Sequence, residues 1–436
     1  MYNLWAYLTY LRGDYDEAMD QLQKAEEQIQ DSDPDADIKR TVMYGNYAWL
    51  LYHQKDFIKS SAYAKKVEAI KQNYKLAQEN HKLLIDIYSE EGWAYLLFGS
   101  KYYEKAAKCF KNGLEFDKRH PELNSGYATA RHRVASLNYP ETEFSETIDA
   151  LENAVKYNSE DTVVKTLLAL QYQDHKQYQE AGKLIEEALE QEPGSPYVLR
   201  YAATFYRRAG DAEEATELLE KAIALTPTSA TIYHQLGICY KSLVTINKRR
   251  EQQARSNRQP TNHYRQQRAE AIDKAISHLE KAVELQDTFL AAYIALGDMY
   301  ARKGLYLRAE EAFYKAAGMA KITNAEKQEL HLIWGQYELF NRNSEQQAIK
   351  HFKKVILIKN PTKNRQYAIG HLNKIAEDMI GQNSADATGY GLRGFIYQQE
   401  EQERMAIENY KKALQLQPDN EEYVEAISSL EGTLRE

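Results

Sequence analysis

Tyr178-Gln-Glu-Ala-Gly-Lys-Leu-Ile-Glu-Glu-Ala188, followed by Pro193, and Asp211-Ala-Glu-Glu-Ala-Thr-Glu-Leu-Leu-Glu-Lys-Ala222, followed by Pro227, are two copies of one pattern. In each, two alanines stand seven residues apart (Ala181 with Ala188, Ala215 with Ala222) and the proline comes five residues later. The copies are offset by 34 residues at Ala181 and Ala215, and again at Pro193 and Pro227. Seven residues is close to two helical turns, so the paired alanines share a face and let a neighbouring helix approach. Proline stops the helix, because it lacks the N–H and clashes with the preceding turn. The small–small pairing recurs at Ala18/Ala25, Ala106/Gly113, Ala275/Ala282, Ala309/Ala316, Ala348/Val355 and Ala406/Ala413, with further prolines at Pro121, Pro361 and Pro418. Gly13-Asp14 and Gly210-Asp211 mark the turn between the two helices of a unit.

A period of 34 residues with one helix–turn–helix per period is that of the tetratricopeptide repeat. The expected fold is all-α, a superhelical solenoid of antiparallel helix pairs, each stacked on the next. The expected blocks are N-terminal repeats over 1–137, middle repeats over 138–335 with an insertion at 244–268, and C-terminal repeats over 336–436. Connections are expected at Asp31–Asp37, near Gln72–Asn80 and in the polar stretch Asn138–Glu143. With 436 residues, 43% of them hydrophobic, the chain can build a core repeat upon repeat. Cys109 and Cys239 fall in helical segments and form no disulfide framework. No signal peptide, transmembrane run or lipidation motif is present, so a soluble cytoplasmic protein without membrane contact is expected. The net charge of −8 argues against a surface coated for nucleic acid but leaves an inner face open. Tyrosine is unusually frequent, at 34 residues, and needs a role.

Motifs for catalysis are missing. Gly389-Tyr-Gly391-Leu-Arg-Gly394 fits the dinucleotide fingerprint, but it lies within the first helix of a repeat, where small residues serve packing. The histidines lack zinc spacing, neither cysteine has a CxxC partner, and there is no nucleophile elbow or phosphate loop. The expectation is a protein that is not an enzyme and carries no metal or cofactor.

The middle repeats differ from the rest. Tyr197, Arg200, Tyr201, Thr204 and Arg207/Arg208 recur at i, i+3, i+4, i+7 and i+10/11, a single helix face. First helices of such repeats line the inner surface, so this face would look inward. Arginine forms forked bonds to phosphate and tyrosine offers a plane on which any base can stack. Adjacent first helices add Arg131 and Arg133 upstream and Thr231, His234 and Gln235 downstream, while Trp93 lies on an earlier one. The other reading makes the aromatics packing residues within each repeat. Lys248-Arg249-Arg250, Arg255, Arg258, Arg265 and Arg268 form either a solvated, partly helical insertion between the two helices of a repeat or a basic flap near a nucleic-acid entrance. The cluster Lys350, Lys353, Lys354, Lys359, Lys363 and Arg365 reads as a wet helix face.

The chain resembles the interferon-induced proteins with tetratricopeptide repeats over essentially its whole length. The strings that carry the resemblance are Gly45-Asn-Tyr-Ala-Trp49, Gly92-Trp-Ala94, Tyr102-Tyr103, Pro196-Tyr-Val-Leu-Arg-Tyr-Ala-Ala203 with Phe205-Tyr-Arg-Arg208, and Thr226-Pro-Thr-Ser229 with His234-Gln235. The resemblance implies an innate antiviral protein that grips the 5′ end of single-stranded RNA, a triphosphate or an incompletely methylated cap, without turnover. It assigns 5′-phosphate contacts to Arg133, Tyr197 and Arg200, and nearby nucleotide contacts to Tyr201, Arg207, His234, Gln235 and Phe289. It places Trp93 beside the first base or a cap guanine. It also implies partners among related repeat proteins or further copies of the chain. Three departures stand out: Leu97 where the family usually has lysine, Thr231 where a larger aromatic is common, and a start inside what looks like the first full repeat. The last implies a short member, a fragment or an alternative start. The rival expectation is a scaffold for protein partners; for the carboxylate clamp of co-chaperone repeats, the clamp asparagine would fall about where Tyr7 stands.

Overall fold

The computed structural model describes residues 2–30, 36–77, 81–137, 144–320 and 322–433. Among these there is no strand. The expected connection at Asn138–Glu143 lies outside the described residues, as does most of Asp31–Asp37. Gln72–Ala77, expected to be connecting, instead continues a helix. The Val-Glu-Ala-Ile-Lys-Gln run before it carries no glycine or proline to stop it.

The described residues fall into two compact units, one up to Leu167 and one from Leu168. The first holds the pairs α1 (Tyr2–Leu11) with α2 (Tyr15–Glu27), α3 (Ala36–His53) with α4 (Phe57–Ala77), α5 (His81–Leu97) with α6 (Tyr103–Leu114) and α7 (Pro121–Leu137) with α8 (Phe144–Tyr157). Helix α9 (Thr162–Asp174) carries the boundary. The second unit continues with α10 (Tyr178–Gln191), α11 (Pro196–Ala209), α12 (Ala212–Leu225), α13 (Ala230–Ser256), α14 (Asn262–Leu285), α15 (Leu290–Lys303), α16 (Tyr306–Ala317), α17 (Asn324–Phe340) and α18 (Glu345–Leu357). It ends with α19 (Lys363–Gln382), α20 (Ala387–Gln399), α21 (Glu403–Leu416) and α22 (Glu421–Thr433). The fold is an all-α tetratricopeptide-repeat solenoid. No described helix is long and apolar enough to cross a membrane.

The paired small residues do the packing their spacing implies. Ala181, Ala188, Ala215, Ala222, Ala275, Ala282, Ala309, Ala316, Ala406 and Ala413 are all fully buried. The Gly-Asp signals act as turns: Gly210 takes φ +96°, a left-handed conformation that only glycine adopts cheaply. Asp211 then accepts the Glu214 backbone N–H at 3.1 Å and caps α12. The fingerprint glycines pack too, since Gly391 faces Tyr423 and Gly394 faces Tyr410 too closely for a Cβ.

Part of the tyrosine excess has a structural answer. Tyr47, Tyr240, Tyr300 and Tyr337 each donate a hydroxyl hydrogen bond to a carboxylate on the preceding helix pair, Glu26, Glu220, Glu280 and Glu310. The phenol buries its ring between units while its hydroxyl reaches a partner at the edge. Each bond therefore stitches one repeat to the next.

Candidate nucleic-acid interface

Helix α11 buries Val198, Leu199, Ala202, Ala203 and Phe205. That roll leaves Tyr197, Arg200, Tyr201, Thr204 and Arg207 partly or wholly open, as their spacing implies. The Arg200 guanidinium lies 4.4 Å from the Tyr201 ring centre and 5.8 Å from that of Tyr197. Tyr197 itself is 60% exposed. Two arginines grouped with this stripe by sequence belong elsewhere. Arg208 pairs with Asp174 at 3.2 Å, and Arg131 is buried with Glu146 at 3.0 Å. Those partners neutralise them.

Arg207 is different. Burial lowers its pKa from the ordinary value, and neighbouring Arg208 adds to the effect. Its Nε has no hydrogen-bond partner, and no carboxylate pairs with Arg207 or Arg200 among the described residues. An unpaired guanidinium in a crowded site is costly unless an anion completes it.

The first helices of the second unit stand side by side, α11 against α13 and α13 against α15. This places His234 of α13 close enough to Arg207 to feel its charge. Burial, with Lys241 and Arg207, pushes the imidazole down to about 4, so it is neutral at physiological pH. The His234 ring lies 4.8 Å from Phe289, the residue capping α15. Gln235 follows on α13, half-buried.

Sequence reasoning passed over Lys241, although it lies seven residues after His234 on the same face. Its ammonium is 2.7 Å from Asp298 of α15, which also takes Arg302 at 2.8 Å. Burial alone would raise the Asp298 carboxyl, but these two cations outweigh it and hold it below its ordinary value. The signal was a lone aspartate in the largely apolar run Leu290–Ala301.

In the first unit, Trp93 packs edge-on against Phe110, with ring centres 5.2 Å apart, and stays partly exposed. Its indole N–H donates to Glu122 at 3.0 Å. Arg133 donates through Nη1 to the Leu96 carbonyl at 3.2 Å, and its guanidinium lies 5.4 Å from the Tyr103 ring centre. Leu97, next to that carbonyl, is 86% exposed. Each unit thus presents guanidinium groups braced on aromatic rings. That chemistry suits phosphate oxygens flanked by stacked bases.

Family models described as tetratricopeptide repeat match residues 172–237 and 387–420. The chain is 35% identical over 426 residues to the human antiviral innate immune response effector IFIT1, covering 97% of this chain and 88% of that protein. It is 33% identical to human interferon-induced protein with tetratricopeptide repeats 2, covering 95% of this chain and 86% of that one. Among solved structures, a human IFIT1 dimer with PPP-AAAA superposes with a TM-score of 0.75 at 34% identity, covering 96% of this chain and 90% of that one. A human IFIT1 dimer with m7Gppp-AAAA gives 0.76 at 35% identity over the same shares. The chain belongs to the family of interferon-induced proteins with tetratricopeptide repeats.

Proposed function

We propose that this chain is an innate antiviral effector that holds the 5′ end of single-stranded RNA, as a triphosphate or an incompletely methylated cap, and sequesters it without turnover. The observation that carries this reading is Arg207, crowded, unpaired and with an orphaned Nε, beside Arg200 on its aromatic bracket. Arg133, Tyr197 and Arg200 would hold the 5′ phosphates. Tyr201, Arg207, His234, Gln235 and Phe289 would hold the nucleotides that follow, and Trp93 the first base or cap guanine. Relatives solved with PPP-AAAA and m7Gppp-AAAA support that ligand class, and their dimeric state supports self-association of this chain. The protein would work in the cytoplasm, unattached to membrane.

The test is binding of one short RNA carrying a 5′-triphosphate, a cap or a 5′-hydroxyl to the wild type and to an Arg133→Ala/Arg200→Ala double variant. A preference of tenfold or more, about 1.4 kcal/mol, that the variant loses supports the reading. Equal weak binding of all three RNAs, unchanged in the variant, replaces it with a scaffold for protein partners.

A further inference from the structure

Helices α13 and α14 outgrow their repeat. They hold 27 and 24 residues, where α11 and α12 hold 14 each. At the α-helical rise the pair projects roughly 15–20 Å beyond the body of the second unit. A charge cluster ties the two helices of the projection together. The Glu251 carboxylate of α13 accepts hydrogen bonds from Arg268 at 2.6 Å and Arg265 at 2.7 Å, both on α14, and from Arg255 at 3.3 Å. Three guanidiniums on one carboxylate leave the cluster cationic.

The rest of the projection adds to that excess. Residues 244–268 carry seven lysines and arginines against the single carboxylate of Glu251, in a chain of net charge −8. Lys248, Arg249 and Arg258 are exposed, and none has an ion pair among the described residues. Between Leu225 and Leu305 no large hydrophobic side chain is exposed. A protein partner is anchored by large apolar or aromatic side chains at the centre of its interface; here the ring of Tyr264 is only partly open and lies against His263, with ring centres 5.6 Å apart. Arginines interleaved with Gln, Asn and Ser match a flexible polyanion read through its backbone.

We propose that the α13–α14 projection is an electrostatic docking surface for the phosphate backbone of RNA, separate from the 5′-end pocket. His234 and Gln235 lie near the start of α13, and Arg255 lies about 30 Å further along the same helix. One rigid element thus joins the proposed pocket to the projection. The inference takes its ligand class from the reading above but needs no 5′-end selectivity.

The experiment compares RNAs of about five and about thirty nucleotides, each with a 5′-triphosphate or a 5′-hydroxyl, on wild type and a Lys248→Glu/Arg249→Glu/Arg258→Glu variant across a salt series. Thermal unfolding confirms that the variant folds. The variant is expected to bind the short RNAs as the wild type does and the long RNAs tenfold or more weakly, whatever the 5′ end. Its salt slope on long RNA should be shallower by about two, for three lost phosphate contacts. Unchanged long-RNA binding, or an equal loss on short and long RNA, overturns the proposal. An oligoglutamate peptide of the same charge that binds wild type as tightly as the long RNA, and is lost in the variant, overturns the RNA assignment in favour of an acidic protein. Triphosphate and hydroxyl RNAs binding alike, with the long-RNA loss intact, would sink the 5′-end reading and leave this one standing.

Discussion

The Arg200 guanidinium lies 4.4 Å from the centre of the Tyr201 ring, the next residue on α11. The ring braces the cation, so less side-chain entropy is lost when a phosphate arrives. Arg200→Ala should weaken binding of a 5′-triphosphate RNA by about 1.5–3 kcal/mol, the scale of a charge-assisted hydrogen bond. Arg200→Lys should recover less than half of that loss, because an ammonium is neither planar nor forked. Full rescue by lysine in an anisotropy titration would mean that only charge matters at this position.

Arg207 separates stability from function. Its guanidinium is crowded and lacks a counter-charge, so Arg207→Met replaces a desolvated cation with a shape-compatible apolar chain. We expect this variant to be more stable by about 1 kcal/mol and to lose most of its RNA affinity. Urea unfolding and titration of the same preparation check both halves. A destabilised variant would show that Arg207 is structural.

The repeat was legible in the sequence because its signals are local. Gly210 and Asp211 turn the chain in place, and Ala215 and Ala222 meet a neighbour through a fixed period. The stripe Tyr197, Arg200, Tyr201 was legible for the same reason, as residues on one helix. What could not be read was charge pairing across the fold. Asp174, the partner of Arg208, is 34 residues away, and Glu146, the partner of Arg131, lies on the following helix. Helical spacing is blind to both, so these arginines looked as free as Arg200. The 244–268 segment was legible as basic and partly helical, but the three-way bond by which Glu251 ties its two helices together was not.

His331 and His351 make the second unit acid-sensitive. Their Nδ1 atoms are 3.1 Å apart and share one hydrogen bond, and burial pushes both imidazoles down to about 4. An unfolded histidine titrates near 6.5, so between about 6.5 and 4 the unfolded chain binds protons that the folded one refuses. Stability from this source is complete above about 6.5 and is lost as pH falls toward 4. The melting temperature should drop between pH 7 and pH 5, and a His331→Gln/His351→Gln variant should drop less. Parallel pH profiles would assign the sensitivity elsewhere.

Gly394 tests what the fingerprint glycines are for. A Cβ there would stand 2.7 Å from Cδ1 of the buried Tyr410 ring. Gly394→Ala should cost about 1–3 kcal/mol of stability through overpacking. Neither the wild type nor the variant should bind a dinucleotide. Saturable dinucleotide binding to the wild type, weakened by the substitution, would revive the cofactor reading.

Leu97 is the position where a gain, and not a loss, is expected. Its side chain is 86% exposed, immediately after the carbonyl of Leu96 that anchors Arg133. Exchange should therefore cost the fold little. If Arg133 meets the 5′ phosphates, Leu97→Lys adds a second cation within reach of the same group. Affinity for the 5′-triphosphate RNA should then rise by about 1.5–3 kcal/mol, while that for 5′-hydroxyl RNA stays near its starting value. In an Arg133→Ala background the gain should shrink, since two cations sharing one phosphate are coupled. An equal gain for both RNAs would reduce the effect to general attraction of a polyanion. No gain for either would place the phosphates away from Arg133, and the 5′-end assignment of the first unit would fall with it.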